Sequence, residues 1–268
     1  MKLLKGSELA EFIKERQAKA VRGLRQADLI KPKLAILVTV DNPVIEIYMK
    51  LKEEYGSDIL VEVDIHRVAM DEAQSKIEEL NNDESVHGII IQLPLKDSSL
   101  TDHLLNLVLP DKDVDALGSN SVFDPATPTA IMWLLAGFGI ELKNKKVVLV
   151  GRGKLVGKPL QLMMEQSGID VSVCDEDNDV AGAIKNADII ITATGSPGVI
   201  TSKMIPQGAV VVDAGVAVEK GKSVGDLDNE VYGRDDLTIT PKKGGVGPLT
   251  VCALFENVIK AAKLSAKH

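Results

Sequence analysis

Aromatic side chains, cysteines and positive charge are all scarce in this chain of 268 residues. Phe, Trp and Tyr make up only 3% of it, too few for the stacked rings that bind single-stranded nucleic acid. Acidic residues number 39 and basic residues 31, and the resulting net charge of -8 argues against binding to a phosphate backbone. We therefore expect no nucleic-acid partner, although a local site could still bind a small anion.

Metal-binding and membrane-spanning patterns are also missing. Cys174 and Cys252 lie in separate apolar runs and form neither a zinc spacing nor a disulfide framework. The histidines are scattered, and we expect no metal: His66, His87, His103 and His268. No apolar run reaches the ~18 residues of a membrane span, and residues 1–20 have the pattern of an amphipathic helix, not of a signal peptide. We expect no membrane partner and a cytoplasmic location, where thiols stay reduced.

What the chain does have is a regular alternation of apolar runs and amphipathic segments, typical of parallel strands connected by helices. Helices are predicted at 8–25, 43–55, 71–81, 128–138, 158–167, 178–186 and 249–264. Strands are predicted at 34–40, 59–66, 88–92, 145–150, 171–174, 187–194, 209–215 and 237–240. The alternation restarts near residue 127, so we predict an α/β fold of two lobes with a cleft between them. One lobe is 1–122 with the C-terminal helix (about 249–268), and the other, Rossmann-like, is 123–248.

A glycine-rich loop connects a predicted strand and helix in the second lobe. Gly151, Gly153 and Gly157 would let backbone N–H groups and the helix N-terminus hold a pyrophosphate. Their spacing is one residue longer than the common dinucleotide fingerprint, so the loop alone fits a simple tight turn equally well. Asp175 follows at the end of the next strand, where an acid can bind ribose hydroxyls. Residues 195–198 form a second loop at the same sheet edge, and together these features predict a nucleotide site.

Four polar residues in the first lobe form a second candidate site. Tyr48 and Lys52 are four apart on a predicted helix and share a face. Gln92 ends a strand, where ligands of α/β proteins usually bind, and Asp115 follows in the next loop. By themselves these are ordinary residues, and a helix lysine is more commonly a solvated surface group.

Six motifs give these residues a context: YMKLK (48–52), IIIQLPL (89–95), KDVDALGSN (112–120), GRGKLVGKP (151–159), TATGSPG (192–198) and TPKKGGVGPLT (240–250). In order and spacing they resemble the bifunctional methylenetetrahydrofolate dehydrogenase/methenyltetrahydrofolate cyclohydrolase family. The resemblance implies oxidation of 5,10-methylenetetrahydrofolate by hydride transfer to NAD or NADP. It also implies hydrolysis of the methenyl product to 10-formyltetrahydrofolate, folate binding by the first lobe, nucleotide binding by the second, and a homodimer formed largely by the second.

The resemblance also implies roles for single residues. Lys52 would catalyse the hydrolytic step and Gln92 would orient it. Tyr48 would pack against the folate and help position Lys52, and Asp115 would bind the pterin. Further substrate contacts would be Gly245 and Pro248. The implied cofactor-binding residues are Gly151, Arg152, Gly153, Gly157, Asp175, Thr194 and Gly195.

Several positions depart from the family pattern. Ile45 stands where the family has a small polar residue, Ala116 replaces a glycine, and Lys242 and Lys243 replace Val-Pro in the loop before Gly244. These departures put substrate affinity and rate in question more than the class of reaction.

The departures in the glycine loop bear on the choice of cofactor. NADP-using relatives have Gly-Arg-Ser and later His-Ser, where this chain has Gly151-Arg152-Gly153 and Asp175-Glu176. Two carboxylates, in an acidic run that continues to Asp177, would repel a 2′-phosphate. Arg152 could still hold one, so we favour NAD, or relaxed use of NAD and NADP, over strict NADP. A monofunctional dehydrogenase and a non-catalytic nucleotide-binding relative stay open as alternatives, and the intact Lys52 and Gln92 weigh against both.

Overall fold

We describe the fold from a computed structural model of the chain, which describes residues 1–175, 178–219 and 222–266. The helices are α1 (Gly6–Ala27), α2 (Pro43–Ile59), α3 (Ala73–Asn82), α4 (Thr101–Leu105), α5 (Ala126–Gly137), α6 (Gly157–Gln166), α7 (Val180–Ile184) and α8 (Val246–Ser265). The strands are β1 (Lys2–Leu3), β2 (Lys33–Val38), β3 (Glu62–Arg67), β4 (Gly88–Ile91), β5 (Val147–Val150), β6 (Val171–Cys174), β7 (Ile189–Thr192), β8 (Val210–Asp213), β9 (Ala217–Glu219), β10 (Lys222–Val224) and β11 (Thr238–Ile239).

These elements form two compact units, each built around one parallel sheet. The three-stranded unit comprises residues 11–126 and 251–266, and the six-stranded unit comprises residues 1–10 and 127–250. The predicted α/β class with parallel sheets is confirmed. The grouping differs from the predicted lobe boundaries at residues 1–10, because β1 pairs with β11 in the six-stranded sheet. It also differs at residues 123–126, which group with the three-stranded unit.

The three-stranded sheet has the order β3-β2-β4, with all strands parallel. β2 and β4 are almost wholly apolar and buried along their length, as expected for strands covered on both faces. The chain passes from the central strand β2 to β3 on one side, and later reaches β4 on the other side. The order of the strands therefore changes direction between β2 and β4. Ligands of open parallel sheets bind beyond the carboxyl ends of the strands at such a switch point.

The six-stranded sheet has the order β1-β11-β8-β7-β5-β6 and is also parallel throughout. Its core consists of aliphatic side chains, among them Val150, Ile190 and Val211. The order reverses direction between β5 and β7, which makes that position the switch point of a doubly wound sheet. The loops that follow β5 and β7 at this edge contain the glycines of the predicted nucleotide site.

Four elements were absent from the sequence prediction: β1, the antiparallel β9–β10 hairpin, the five-residue α4 and short 3-10 turns such as Asn229–Gly233. Each is too short to display a hydrophobic period, and β1 exists only through pairing with residues more than two hundred positions away. Among the described residues, no helix combines the length and apolar character needed to cross a bilayer.

Candidate functional site

The position of Lys52 follows from how α2 begins. Asn42 caps the helix, its Oδ1 accepting the Val44 N–H at 2.8 Å, and Pro43 supplies the fixed backbone angle that suits a first turn. Lys52 lies in the third turn, half-buried, and its Nζ donates a 2.7 Å hydrogen bond to Oε1 of Gln92 at the end of β4. The structure thus brings together two residues 40 positions apart in sequence.

Gln92 is itself held on both sides. Its backbone N–H donates to Leu37 O at 2.9 Å, which extends the ladder with β2, and its side-chain Nε2 donates to Leu93 O at 2.9 Å. With the amide nitrogen engaged, the amide oxygen is directed to Lys52. This fixes the lysine amine at the carboxyl edge of the three-stranded sheet.

Asp115 is electrostatically coupled to Lys52. Burial lowers the pKa of Lys52 and outweighs the negative charge of Asp115, which raises it. Burial raises the pKa of Asp115, the positive charge of Lys52 opposes this, and the nearby Asp113 adds to the rise. Both groups are therefore shifted toward their neutral forms, the condition in which a lysine can accept a proton.

Buried polar contacts shape the loop that contains Asp115. Asp113 accepts the Gly118 N–H at 2.9 Å, and Ile89 N–H of β4 donates to Lys112 O at 2.7 Å. Asn257 on α8, only 3% exposed, donates from Nδ2 to Val114 O and Asp124 O, both at 2.9 Å. No sequence pattern points to Asn257, because an asparagine in an apolar helix reveals nothing about the distant carbonyls that it contacts.

Tyr48 lies one turn before Lys52 and is 37% exposed, so its ring remains available for a ligand. Ile45, which departs from the family pattern, is 3% exposed and is part of the buried core. Its bulk therefore faces the protein interior. Ala116, another departure, has φ of 56°, a backbone region that a glycine adopts without strain.

The glycine loop after β5 makes a tight turn into α6. Gly151 has φ of 103°, and a Cβ there would lie 2.7 Å from Ala193 O. A Cβ at Gly157 would lie 2.1 Å from Gly151 O, so both positions require glycine. Gly153 is different, since a Cβ there would meet no atom of the described part of the chain within 4 Å, and Arg152 is exposed beside it.

Asp175 and Thr194 lie at the ends of the two strands that flank β5. The Gly151 N–H donates to Cys174 O at 2.8 Å, which places Asp175 next to the glycine loop. After β7, Thr194 Oγ1 accepts the Ser196 N–H at 3.0 Å, and Gly195 turns the chain with φ of 73°. Glu176 and Asp177, as well as His268, lie outside the described residues.

The loop before α8 contains Gly245, and Pro248 lies in the first turn of that helix. Gly245 is buried, and its carbonyl oxygen packs closely against Gly6, where a Cβ would lie only 2.0 Å from it. Lys242, where the family has a valine, places its Nζ 4.9 Å from the centre of the Tyr232 ring. The side chain of Lys242 thus contacts Tyr232 within the six-stranded unit.

Two further acidic residues, not singled out from the sequence, lie at the carboxyl-terminal edge of the six-stranded sheet. Asp213 ends β8 and accepts backbone N–H groups from Gly215, Asp226 and Leu227 at 3.0 to 3.2 Å. Asp226 is fully buried and accepts hydrogen bonds from Thr192 and Thr194. No group of three or more His, Cys, Asp or Glu side chains within the described ranges is arranged to hold a metal ion.

Comparison with known proteins assigns a family to both units. Residues 4–115 match the family model "tetrahydrofolate dehydrogenase/cyclohydrolase, catalytic domain". Residues 125–266 match the corresponding "NAD(P)-binding domain". This chain belongs to the tetrahydrofolate dehydrogenase/cyclohydrolase family. The resemblance inferred from the six motifs is therefore confirmed.

Individual family members are similar over their full length. The bifunctional protein FolD of Campylobacter jejuni is 38% identical over an alignment that covers 98% of this chain and 99% of that protein. The crystal structure of a C. jejuni FolD, a methylenetetrahydrofolate dehydrogenase/cyclohydrolase, has a TM-score of 0.91 at 35% identity and covers 98% and 99% of the two chains. A Trypanosoma brucei family member, complexed with NADP cofactor and inhibitor, has a TM-score of 0.92 at 27% identity and covers 99% and 98%.

Proposed function

We propose that this chain oxidises 5,10-methylenetetrahydrofolate to the 5,10-methenyl form with a nicotinamide dinucleotide, and then hydrolyses that product to 10-formyltetrahydrofolate. The observation that carries the proposal is the 2.7 Å hydrogen bond from Lys52 Nζ to Gln92 Oε1, in the part of the chain that matches the family's catalytic domain. A non-catalytic relative would have no use for a half-buried lysine held in this way. The test is product analysis: 10-formyltetrahydrofolate and reduced dinucleotide should both form, and the absence of either contradicts the proposal.

The hydrolytic step requires removal of one proton. The methenyl carbon is part of a cation and is already electrophilic, so water can add to it while a neighbouring base accepts the water proton. We assign this base to Lys52, whose burial lowers its pKa and increases its neutral fraction. Gln92 Oε1 accepts one N–H of the amine and thereby directs the nitrogen lone pair.

Substrate binding is assigned first to Asp115 and Tyr48, which lie in the same unit as Lys52. The carboxylate of Asp115 can accept two N–H bonds from the amino-pyrimidine edge of a pterin. Tyr48, exposed on the same helix face as Lys52, offers its ring to the folate. Gly245 and Pro248 remain proposed substrate contacts on the family resemblance alone.

The loops at the switch point of the six-stranded sheet fit a dinucleotide. Gly151 and Gly157 leave no room for side chains, so the backbone of this turn can approach a pyrophosphate at the start of α6. Asp175 would accept ribose hydroxyls, and Thr194 and Gly195 would line the neighbouring loop. A nicotinamide bound there would supply the hydride acceptor for the oxidation. The task of these residues is to hold the ring in position.

For cofactor choice, we propose NAD, or relaxed use of both dinucleotides. Asp175, half-buried beside the glycine loop, would repel a 2′-phosphate, while exposed Arg152 could attract one. A serine at position 153 meets no steric obstacle from the described residues, none of which comes within 4 Å of a Cβ built there. The double change Asp175→Ser with Gly153→Ser should therefore shift the ratio of kcat/KM toward NADP.

A matched control is Asp170→Ser, which removes a carboxylate at the opposite, amino-terminal end of β6. It should leave the cofactor ratio unchanged. Strict NADP use by the unmodified chain would refute the proposed preference. An unchanged ratio in the double variant would place the discrimination elsewhere.

We also propose that the chain forms a homodimer, largely through the six-stranded unit. The family resemblance supports this, and exposed Val216 and Val218 near β9 provide apolar surface on that unit. Light scattering at micromolar concentration should give twice the mass of one chain, and monomer alone would refute the proposal. A cytoplasmic location stays a prediction.

A further inference from the structure

The carboxylate of Asp226 holds the end of β7 in place. Asp226 is fully buried, and its Oδ2 accepts the Thr192 hydroxyl at 2.5 Å and the Thr194 backbone N–H at 2.7 Å. A charged acceptor makes such hydrogen bonds short and strong. One oxygen atom therefore fixes both the last residue of the strand and the second residue beyond it.

The other oxygen of this carboxylate is unusual. Oδ1 of Asp226 is buried and has no hydrogen-bond partner among the residues that the structure describes. It lies against the backbone of Gly215, where a Cβ would be only 2.0 Å away. Leaving a buried carboxylate oxygen unpaired is costly, and uncompensated groups of this kind are uncommon in native proteins. The structural contribution of this acid therefore lies in the two hydrogen bonds that its Oδ2 accepts from Thr192 and Thr194.

We infer that Asp226 is a positioning residue for the dinucleotide site, an inference that rests on the proposed function. The Thr194 N–H points inward to Asp226, and this orients the turn in which Thr194 Oγ1 accepts the Ser196 N–H and Gly195 reverses the chain. That turn follows β7 at the switch point, beside the glycine loop. Without the acceptor, the Thr194 N–H has no partner in the interior, and the turn must reorient to satisfy it.

The direct test measures dinucleotide affinity by calorimetry, separately from catalysis. Asp226→Ala should raise the dissociation constant for NAD or NADP at least about 10-fold, equivalent to about 1.4 kcal/mol. Hydrolysis of supplied methenyltetrahydrofolate uses no dinucleotide and should stay unchanged. Asp226→Asn keeps one carbonyl oxygen that can accept both hydrogen bonds, so its affinity should lie within about threefold of the unmodified chain.

A matched control separates positioning from general stability. Asp236, just before β11, accepts hydrogen bonds from Gly208 N and from Arg234, so Asp236→Ala removes comparable contacts at the amino-terminal end of the same sheet. It should lower thermal stability without changing dinucleotide affinity. If Asp236→Ala weakens binding as much as Asp226→Ala, the effect is structural and the inference is wrong.

A second variant covers the case in which Asp226→Ala does not fold. Gly215→Ala keeps every hydrogen-bonding group but forces the Asp226 carboxylate to move, so it too should weaken dinucleotide binding while hydrolysis continues. Unchanged affinity in folded Gly215→Ala or Asp226→Ala, or an Asp226→Asn protein as weak as the alanine variant, overturns the inference. If the unmodified chain binds no dinucleotide, the proposed function itself fails, which is a distinguishable result.

Discussion

Replacing Lys52 by methionine should separate the two reactions of this chain. Methionine keeps an unbranched stem of similar length but removes the amine that donates to Gln92 Oε1. Only hydrolysis needs a base for water, so the hydride-transfer step should survive in part. Positioned acid–base groups contribute ~10²–10⁴-fold, so we expect hydrolysis to slow by that factor, equivalent to about 2.7–5.4 kcal/mol in the barrier.

The same change has a second effect, through Asp115. The positive charge of Lys52 lowers the pKa of Asp115 against the effect of burial. Without that charge the pKa of Asp115 rises, a larger fraction of the carboxyl is protonated at a given pH, and fewer N–H groups of a pterin can be accepted. Folate affinity in the Lys52→Met protein should therefore weaken as the pH falls, and more steeply than in the unmodified chain.

The assay follows the absorbance of supplied methenyltetrahydrofolate for hydrolysis, and formation of reduced dinucleotide for oxidation. Lys50→Met is a suitable control, because Lys50 lies on the same helix but is exposed and forms a surface ion pair with Glu54. It should leave both rates unchanged. A folded Lys52→Met protein that hydrolyses the methenyl compound at the normal rate would refute the assignment of Lys52 as the base.

Two further predictions concern Asp115 and Lys52, and a third concerns the buried His87. Asp115→Ala should weaken folate binding, measured apart from turnover, by about 1–3 kcal/mol, whereas the exposed Asp111→Ala should not. The hydrolysis rate at saturating substrate should rise with pH and level off below the pKa of ~10.4 of a free lysine. Asp115→Asn should move this inflection to lower pH, because the Asp115 charge raises the pKa of Lys52. Burial lowers the pKa of His87, whose Nδ1 accepts the Lys33 N–H. The stability that neutral His87 provides is therefore present above about pH 6.5. It is lost as the pH falls through the lowered pKa of His87 in the folded chain. The variant His87→Asn keeps a hydrogen-bond acceptor but cannot titrate, so its urea midpoint should no longer show that part of the pH dependence. An identical dependence of the urea midpoint on pH in both proteins would contradict this prediction.

Much of the fold could be read from the sequence because its strands are continuous apolar runs. β2, β4, β5 and β7 each occupy such a run and lie within a few residues of the predicted limits. The pairing of β1 with β11 could not be predicted in this way, since two residues show no period and the pairing depends on chain topology. The hairpin β9–β10 is missing from the prediction for the same reason of length.

The candidate site divides along a similar line. Spacing placed Tyr48 and Lys52 on one helix face, but only the folded chain brings Lys52 against Gln92. Asp226 and Asn257 had no sequence signal, because their significance lies in buried contacts with backbone groups far along the chain. Local patterns report periodicity and capping, whereas the burial that shifts the pKa of Lys52 is a property of the whole unit.

The most direct test of the proposed function is one time course with the purified chain, 5,10-methylenetetrahydrofolate and either NAD or NADP. Reduced dinucleotide should appear first, and the methenyl absorbance should pass through a transient as 10-formyltetrahydrofolate accumulates. In Lys52→Met the methenyl compound should instead persist. Reduction of the dinucleotide without enzyme-dependent loss of the methenyl compound, or no reduction with either dinucleotide, would contradict the assignment of both reactions to this chain.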